Sequence, residues 1–299
     1  MPQMLCPSTC CVVLECDETL GDESDEKKSD EKLGFGAFAV VVRRGDVAVK
    51  MVAGAHKDML TREYAILHRL AGCPHIVKTL GLRHFDLDDR RSELDLEYGG
   101  PCLIDVQIPK AERLSLWVQF AAGVEHMHRL YVAHRDLKID NILVKKKNEA
   151  WELRIIDFNL SLVLTGEQLT RRTLTKAVGS VGYCPPEMCL QQPYNGFDAD
   201  RWSAGVVAFI IWFGMMPWNK ACRKSDKLFH GVQSFVDGGY SPYEALQAFY
   251  DLRDGVPAWL EYAINTMLVA SADARATYRG TSLLPNGEKL FPSLCASVG

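Results

Sequence analysis

At residues 134–141 the chain reads His134-Arg135-Asp136-Leu137-Lys138-Ile139-Asp140-Asn141. Asp136 offers a carboxylate that accepts a hydroxyl proton, Lys138 a cation for a transferring anionic group, and Asn141 an amide oxygen for a metal ion. Sixteen residues after Asn141, a β-branched run ends in Ile155-Ile156-Asp157-Phe158-Asn159, which supplies a second metal-binding carboxylate at Asp157. The intervening stretch, Ile142 to Ile156, reads as a hairpin that turns around Lys147 to Trp151.

Upstream, Leu33-Gly34-Phe35-Gly36-Ala37-Phe38-Ala39-Val40-Val41 places glycines between two strand patterns, where backbone without a Cβ lets phosphates approach. On its own, that pattern describes any glycine-containing hairpin. The runs Phe38 to Val42 and Val47 to Val52 flank an Arg43-Arg44-Gly45-Asp46 turn, and the second run contains Val47-Ala48-Val49-Lys50. Residues 57–70 place Leu60, Tyr64, Leu67 and Leu70 at helical spacing, with Glu63 on the helix thirteen residues after Lys50. An ion pair between Lys50 and Glu63 would aim the ammonium at phosphate groups. Ile76 to Leu82 and Leu94 to Tyr98 read as further strands, Leu114 to Arg129 as a helix, and the chain from Asp198 onward as largely helical. A β-rich first part therefore precedes an α-rich second part.

Taken in this order, the motifs resemble the eukaryotic protein kinase family from Leu33 to about Arg275, and Lys138 beside Asp136 is the pattern of its serine/threonine branch. Gly179-Ser180-Val181-Gly182-Tyr183-Cys184-Pro185-Pro186-Glu187 is similar to the family's peptide-binding loop, with Pro185 in place of alanine. Asp200, in Asp200-Arg201-Trp202-Ser203-Ala204-Gly205, matches the family's helix Asp that steadies the catalytic loop, and Arg275 matches the arginine that pairs with Glu187. The resemblance implies an α+β, two-lobed fold and transfer of the γ-phosphoryl of ATP to Ser/Thr hydroxyls of protein substrates. It implies that Asp136 is the base and that Lys138 neutralises the transferring group, while Lys50, held by Glu63, grips the α and β phosphates. Mg²⁺ would be bound by Asn141 and Asp157. Nucleotide would lie against Leu33, Gly34, Gly36, Val41, Ala48 and Leu143, with hinge hydrogen bonds from Glu97 to Gly99. Asp140 is a hint of a basic residue before the target.

Two departures stand out. Ala39 replaces a third glycine, and Asn159 replaces the glycine that closes the Asp-Phe-Gly motif, with Asn accepting a positive φ better than most residues. They motivate the alternative of a pseudokinase or signalling scaffold that binds nucleotide without efficient turnover. A small-molecule kinase fits less well, since the Ser180 to Glu187 loop suits a peptide. Arg135 before the catalytic Asp implies that the segment Leu160 to Val178 is ordered by a phosphothreonine at Thr175 or Thr173.

The rest of the sequence sets bounds. A net charge of −4 over 299 residues gives no global attraction to nucleic acid. Residues 17–31 hold eight acidic side chains against Lys27 and Lys28, so the acidity belongs to a solvated leader, residues 1–31. A kinase domain is expected over 32–285, with an N-lobe of about 32–98, a C-lobe of about 102–285 and a tail over 286–299. The ten cysteines form no CxxC pair, and the Cys6 to Cys16 cluster lacks ligand spacing, which favours reduced thiols and an intracellular, cytoplasmic or nuclear setting. The apolar run Val206 to Trp218 is too short to span a bilayer and reads as a buried helix.

Overall fold

The computed structural model describes residues 30–35, 39–85, 91–252, 255–278 and 282–283. Five antiparallel strands form one sheet in the order β1-β2-β3-β5-β4: β1 Glu31–Phe35, β2 Ala39–Arg44, β3 Val47–Ala53, β4 Thr79–Phe85 and β5 Arg91–Glu97. The β2–β3 hairpin turns where the sequence places Gly45, whose φ of 64° suits a residue without a Cβ. In register, Val41 faces Lys50 and Lys50 faces Leu94. With a period of two, Ala48, Lys50 and Val52 share one face of β3, and all three are buried. A lysine on a buried face requires an anionic partner.

Helix α1, Lys57–Arg69, brings that partner. Its buried stripe is Leu60, Glu63, Ile66 and Leu67, so Glu63 interrupts an apolar face that packs on the sheet. The helical part contains α2 Arg113–Arg129, α3 Pro186–Cys189, α4 Gly196–Phe213, α5 Lys227–Asp237, α6 Pro242–Tyr250, α7 Ala258–Met267 and α8 Ala272–Ala276. Its core forms around α2 and α4, where Leu116, Trp117, Phe120, Val124, Trp202, Val206 and Phe209 are fully enclosed. Two short pairs complete it: β6 Val132–Ala133 with β9 Leu162–Val163, and the hairpin of β7 Ile142–Lys147 with β8 Ala150–Ile155. No helix among the described residues is long and apolar enough to cross a membrane.

Two sequence expectations shift. The apolar run to Trp218 is not one helix: α4 stops at Phe213, capped by Gly214 in the left-handed region at φ 69°, and Trp218 is buried beyond the turn. The strand expected from Ile76 starts at Thr79, because Val77 donates its N–H to Ile155 O at 3.0 Å and His75 O accepts from Ile155 at 2.9 Å. Those backbone groups tie the loop after α1 to the end of β8. The acidic stretch before Asp30 and the tail beyond Leu283 lie outside the described residues.

Candidate active site

The short segments flanking β7 and β8 carry most of the chemistry, and α4 fixes them from below. Asp200 is completely buried; its Oδ2 accepts the N–H of His134 and its Oδ1 that of Arg135, both at 2.7 Å. Asn195 caps α4 by accepting from Phe197 N at 2.9 Å, which sets where Asp200 stands. His134 Nε2 lies 3.0 Å from Ile156 O, so that nitrogen carries the proton, and Nδ1 accepts the Asp136 N–H at 3.3 Å. Phe158 packs edge-on against the His134 ring, with centroids 4.8 Å apart. The 134–141 loop and the Asp157 loop are thus one packed unit.

On that unit Asp136 is held at both oxygens. Oδ1 accepts from Ser180 N at 2.8 Å, and Oδ2 lies 3.3 Å from Asn141 Nδ2 and 3.5 Å from Lys138 Nζ. Asn141 also donates to Asp136 O at 2.9 Å, which commits its nitrogen to the loop and leaves its side-chain oxygen as the acceptor. Gly179 makes the approach of Ser180 feasible: at φ 91°, a Cβ there would lie 2.4 Å from Arg135 O.

Lys50 Nζ reaches Glu63 at 2.8 and 3.0 Å and Asp157 Oδ1 at 2.9 Å. Burial pulls the Lys50 ammonium toward neutrality, but the Glu63 and Asp157 carboxylates outweigh it and hold its pKa above the usual lysine value. Burial likewise opposes ionisation of Asp157, and the Lys50 charge outweighs that too, keeping the carboxyl below its ordinary range. Glu63 Oε1 further accepts the N–H of Phe158 at 3.2 Å, so α1 and the Asp157 loop are locked to each other through one carboxylate.

The sheet and β7 bring some of the residues expected to contact nucleotide near one another. Gly99 lies so close to Leu143 that a Cβ would come within 2.8 Å of its Cδ1, and Cys102 bridges Leu143. The hinge and Leu143 are thereby neighbours. Tyr98 N–H is committed to Asp46 O and Glu97 N–H to Lys78 O, whereas Gly99 N–H donates to no described residue. The Glu97 side chain takes a structural task, accepting from Lys78 N at 3.1 Å and Arg154 Nε at 2.9 Å. Ala48 is buried, Val41 packs against the core and Leu33 is exposed; Gly34 pairs with Val41 across a bulge in β1. Gly36 lies outside the described residues.

Sequence reasoning missed two residues that join this network. Asn159 Nδ2 donates to Asp157 Oδ1 at 2.7 Å, and the positive φ of the loop falls on Asp157, at 64°, not on Asn159. Tyr194 receives a bond from Arg135 Nη1 at 3.2 Å. The only sequence signal was the departure of Asn159 from glycine.

A β-sheet part bearing an inward Lys–Glu pair is joined to a helical part bearing an Asp-Lys-Asn loop and a second Asp. The chain matches the family model described as protein kinase domain over residues 28–280, and it belongs to that family. It is 36% identical over 173 residues to CBL-interacting protein kinase 22 of Oryza sativa subsp. japonica, covering 53% of this chain and 36% of the relative. It is 30% identical over 235 residues to the probable serine/threonine-protein kinase KIN1 homolog of Enterocytozoon bieneusi, covering 74% of this chain and 37% of the relative. Against the carbon catabolite-derepressing protein kinase of Candida albicans it is 30% identical over 213 residues, covering 68% and 32%. The matched region thus spans about a third of each of these curated relatives.

Proposed function

We propose that the chain is an active protein serine/threonine kinase, moving the γ-phosphoryl of ATP to Ser or Thr hydroxyls of protein substrates. The observation that carries this reading is Lys50 bridging Glu63 and Asp157, beside an Asp136 flanked by Lys138 and Asn141. Lys50 grips the α and β phosphates; Glu63 holds its ammonium in place. Asp136, fixed by Ser180 N–H, orients the acceptor hydroxyl and takes its proton, and Lys138 offsets charge on the group in transit.

The donor set suits Mg²⁺: Asp157 contributes a carboxylate and Asn141 an amide oxygen, both hard ligands. Among the described residues no group of three or more His, Cys, Asp or Glu is placed to hold a metal unaided, as expected where substrate phosphates complete the shell. Held by Asp157 and Asn141, a bound Mg²⁺ would supply positive charge to offset that of the phosphates. Val41, Ala48, Leu33 and Leu143 flank the base, and the free Gly99 N–H and the Glu97 carbonyl bond its edge; the family resemblance assigns Gly34 and Gly36 to the phosphates. An intracellular setting, cytoplasmic or nuclear, agrees with free thiols at Cys73, Cys102, Cys184, Cys189 and Cys222.

The test is phosphate incorporation from labelled ATP into a Ser/Thr peptide library with Mg²⁺, for the parent chain and Asp136→Asn. The amide cannot accept the proton, so the variant should lose at least about 10²-fold in rate while still binding nucleotide. Retention of a tenth of the rate removes Asp136 from its role. Nucleotide-dependent stabilisation with no transfer by the parent chain would instead identify a pseudokinase.

A further inference from the structure

Asn159 stands where the family resemblance leads one to expect glycine, and its side chain is spoken for. Asp157 Oδ1 accepts two bonds, from Lys50 Nζ at 2.9 Å and from Asn159 Nδ2 at 2.7 Å. Asp157 Oδ2 accepts none from the described residues. The orientation of the amide is settled by chemistry: Asp157 Oδ1 is an acceptor already engaged by an ammonium, and a reversed amide would set two oxygens 2.7 Å apart. The other end of the amide, Asn159 Oδ1, is buried without a partner. An unpaired buried acceptor is costly, so the bond to Asp157 is what keeps the side chain in this orientation.

The backbone supports the same reading. Asp157 sits at φ 64°, a left-handed conformation that aspartate enters more readily than most residues and that contacts from its surroundings can fix. Three contacts do so here: Lys50 and Asn159 on the side chain, and Glu63 on the N–H of the next residue, Phe158. A glycine at 159 would remove one of these and free the backbone as well.

We propose that Asn159 is a positioning residue that sets the rotation of the Asp157 carboxylate, tying Oδ1 to the protein and leaving Oδ2 as the oxygen committed to the nucleotide's Mg²⁺. It rests on the reading of Asp157 as a metal ligand. The departure from the family residue is therefore a working part of this site, and restoring glycine weakens it.

The experiment is isothermal titration calorimetry of the full chain with ADP, with and without Mg²⁺, followed by a Mg²⁺ titration at fixed ADP. Asn159→Ala removes the amide without adding glycine freedom, and Asn159→Gly restores the family residue. Both should bind Mg²⁺·ADP about tenfold more weakly, the scale of one charge-assisted hydrogen bond. ADP in chelator should bind as tightly as to the parent, and the Mg²⁺ midpoint should rise by a similar factor. Amide exchange over Asp157 to Leu160 should quicken. Affinity within twofold of the parent in Asn159→Ala, at an unchanged Mg²⁺ midpoint, overturns the proposal. If the parent chain itself gains no ADP affinity from Mg²⁺, the metal role of Asp157 fails, and the assignment of Asn159 falls with it.

Discussion

The hydroxyl of Tyr194 accepts a hydrogen bond from Arg135 Nη1 at 3.2 Å and donates one to the carbonyl of Lys176 at 3.0 Å. Tyr194 is fully buried and its backbone pairs with Leu174 in both directions, at 2.8 and 3.1 Å. Arg135 Nε bonds Leu160 O at 2.7 Å. The arginine thus reaches both ends of the segment from Leu160 to Val178, at one end directly and at the other through an uncharged phenol. The sequence led us to expect a phosphothreonine in that place, at Thr175 or Thr173; both are exposed, and the guanidinium is already engaged. Thr173→Ala/Thr175→Ala should keep activity within about threefold of the parent. Tyr194→Phe deletes one bond to a charged group, a loss of about tenfold in rate at most, and should speed amide exchange over residues 172–178. Loss of activity in the double alanine chain with no effect of Tyr194→Phe would restore the phosphate model.

Lys50→Met makes two predictions at once. On the proposed role of Lys50, phosphate transfer should fall by at least about 10²-fold, since its grip on the phosphates would be lost. Stability should fall too, because Glu63 is only 1% exposed and would be left as an unpaired buried carboxylate, at about 3–5 kcal/mol. Lys50→Met/Glu63→Gln should therefore denature at higher urea than Lys50→Met while remaining equally inactive. A double variant no more stable than the single one would mean that Glu63 is compensated by something other than Lys50.

What could be read in advance follows the range of the interactions. The β2–β3 hairpin, α1, α2 and the β7–β8 hairpin were legible because period-two and period-3.6 patterns and the Gly45 turn are local signals. Lys50 and Glu63 were legible as a pair only through their place in the order of motifs that resembles the family; taken alone, they read as a surface lysine and a surface glutamate. The bond from Arg135 to Tyr194 joins residues 59 positions apart in different loops, and no local pattern marks it. Asn159 was visible as an exception, but its purpose depends on where Asp157 turns. The positive φ expected at 159 sits at 157, a matter of backbone conformation that residue type alone does not fix.

Arg275 has no exposed surface; it pairs with Glu187 and donates to the carbonyls of Asp198 at 3.2 Å and Val269 at 2.6 Å. Its guanidinium also lies 5.3 Å from the centroid of the Trp202 ring. Arg275→Ala leaves the buried Glu187 uncompensated and removes the donor to the Asp198 and Val269 carbonyls, so it should cost about 3–5 kcal/mol in urea denaturation. Arg275→Lys should recover little of that, because an ammonium cannot serve three acceptors in divergent directions across a planar fork. Full recovery by lysine would reduce the site to charge balance.

His75 gives the fold a pH dependence. Burial, and after it the Arg154 charge, pushes its pKa from 6.5 down to about 4, and a bond to the Leu153 backbone offsets this only in part. Its Nδ1 is buried without a partner, so no acceptor is in place to welcome a second proton. The folded value lies below the unfolded one. Under acid the unfolded chain therefore binds the proton first, and the contribution of His75 is complete above pH 6.5 and drains away as pH falls toward about 4. Allowing for partial solvent access to the ring, the loss should be about 1 kcal/mol at about pH 5. His75→Gln removes the titration, so the stability gap between parent and variant, measured by urea denaturation at about pH 7 and about pH 5, should move by that amount in favour of the variant at the lower pH. A gap that does not change with pH would mean that the ring is protonated in the folded chain as readily as in the unfolded one.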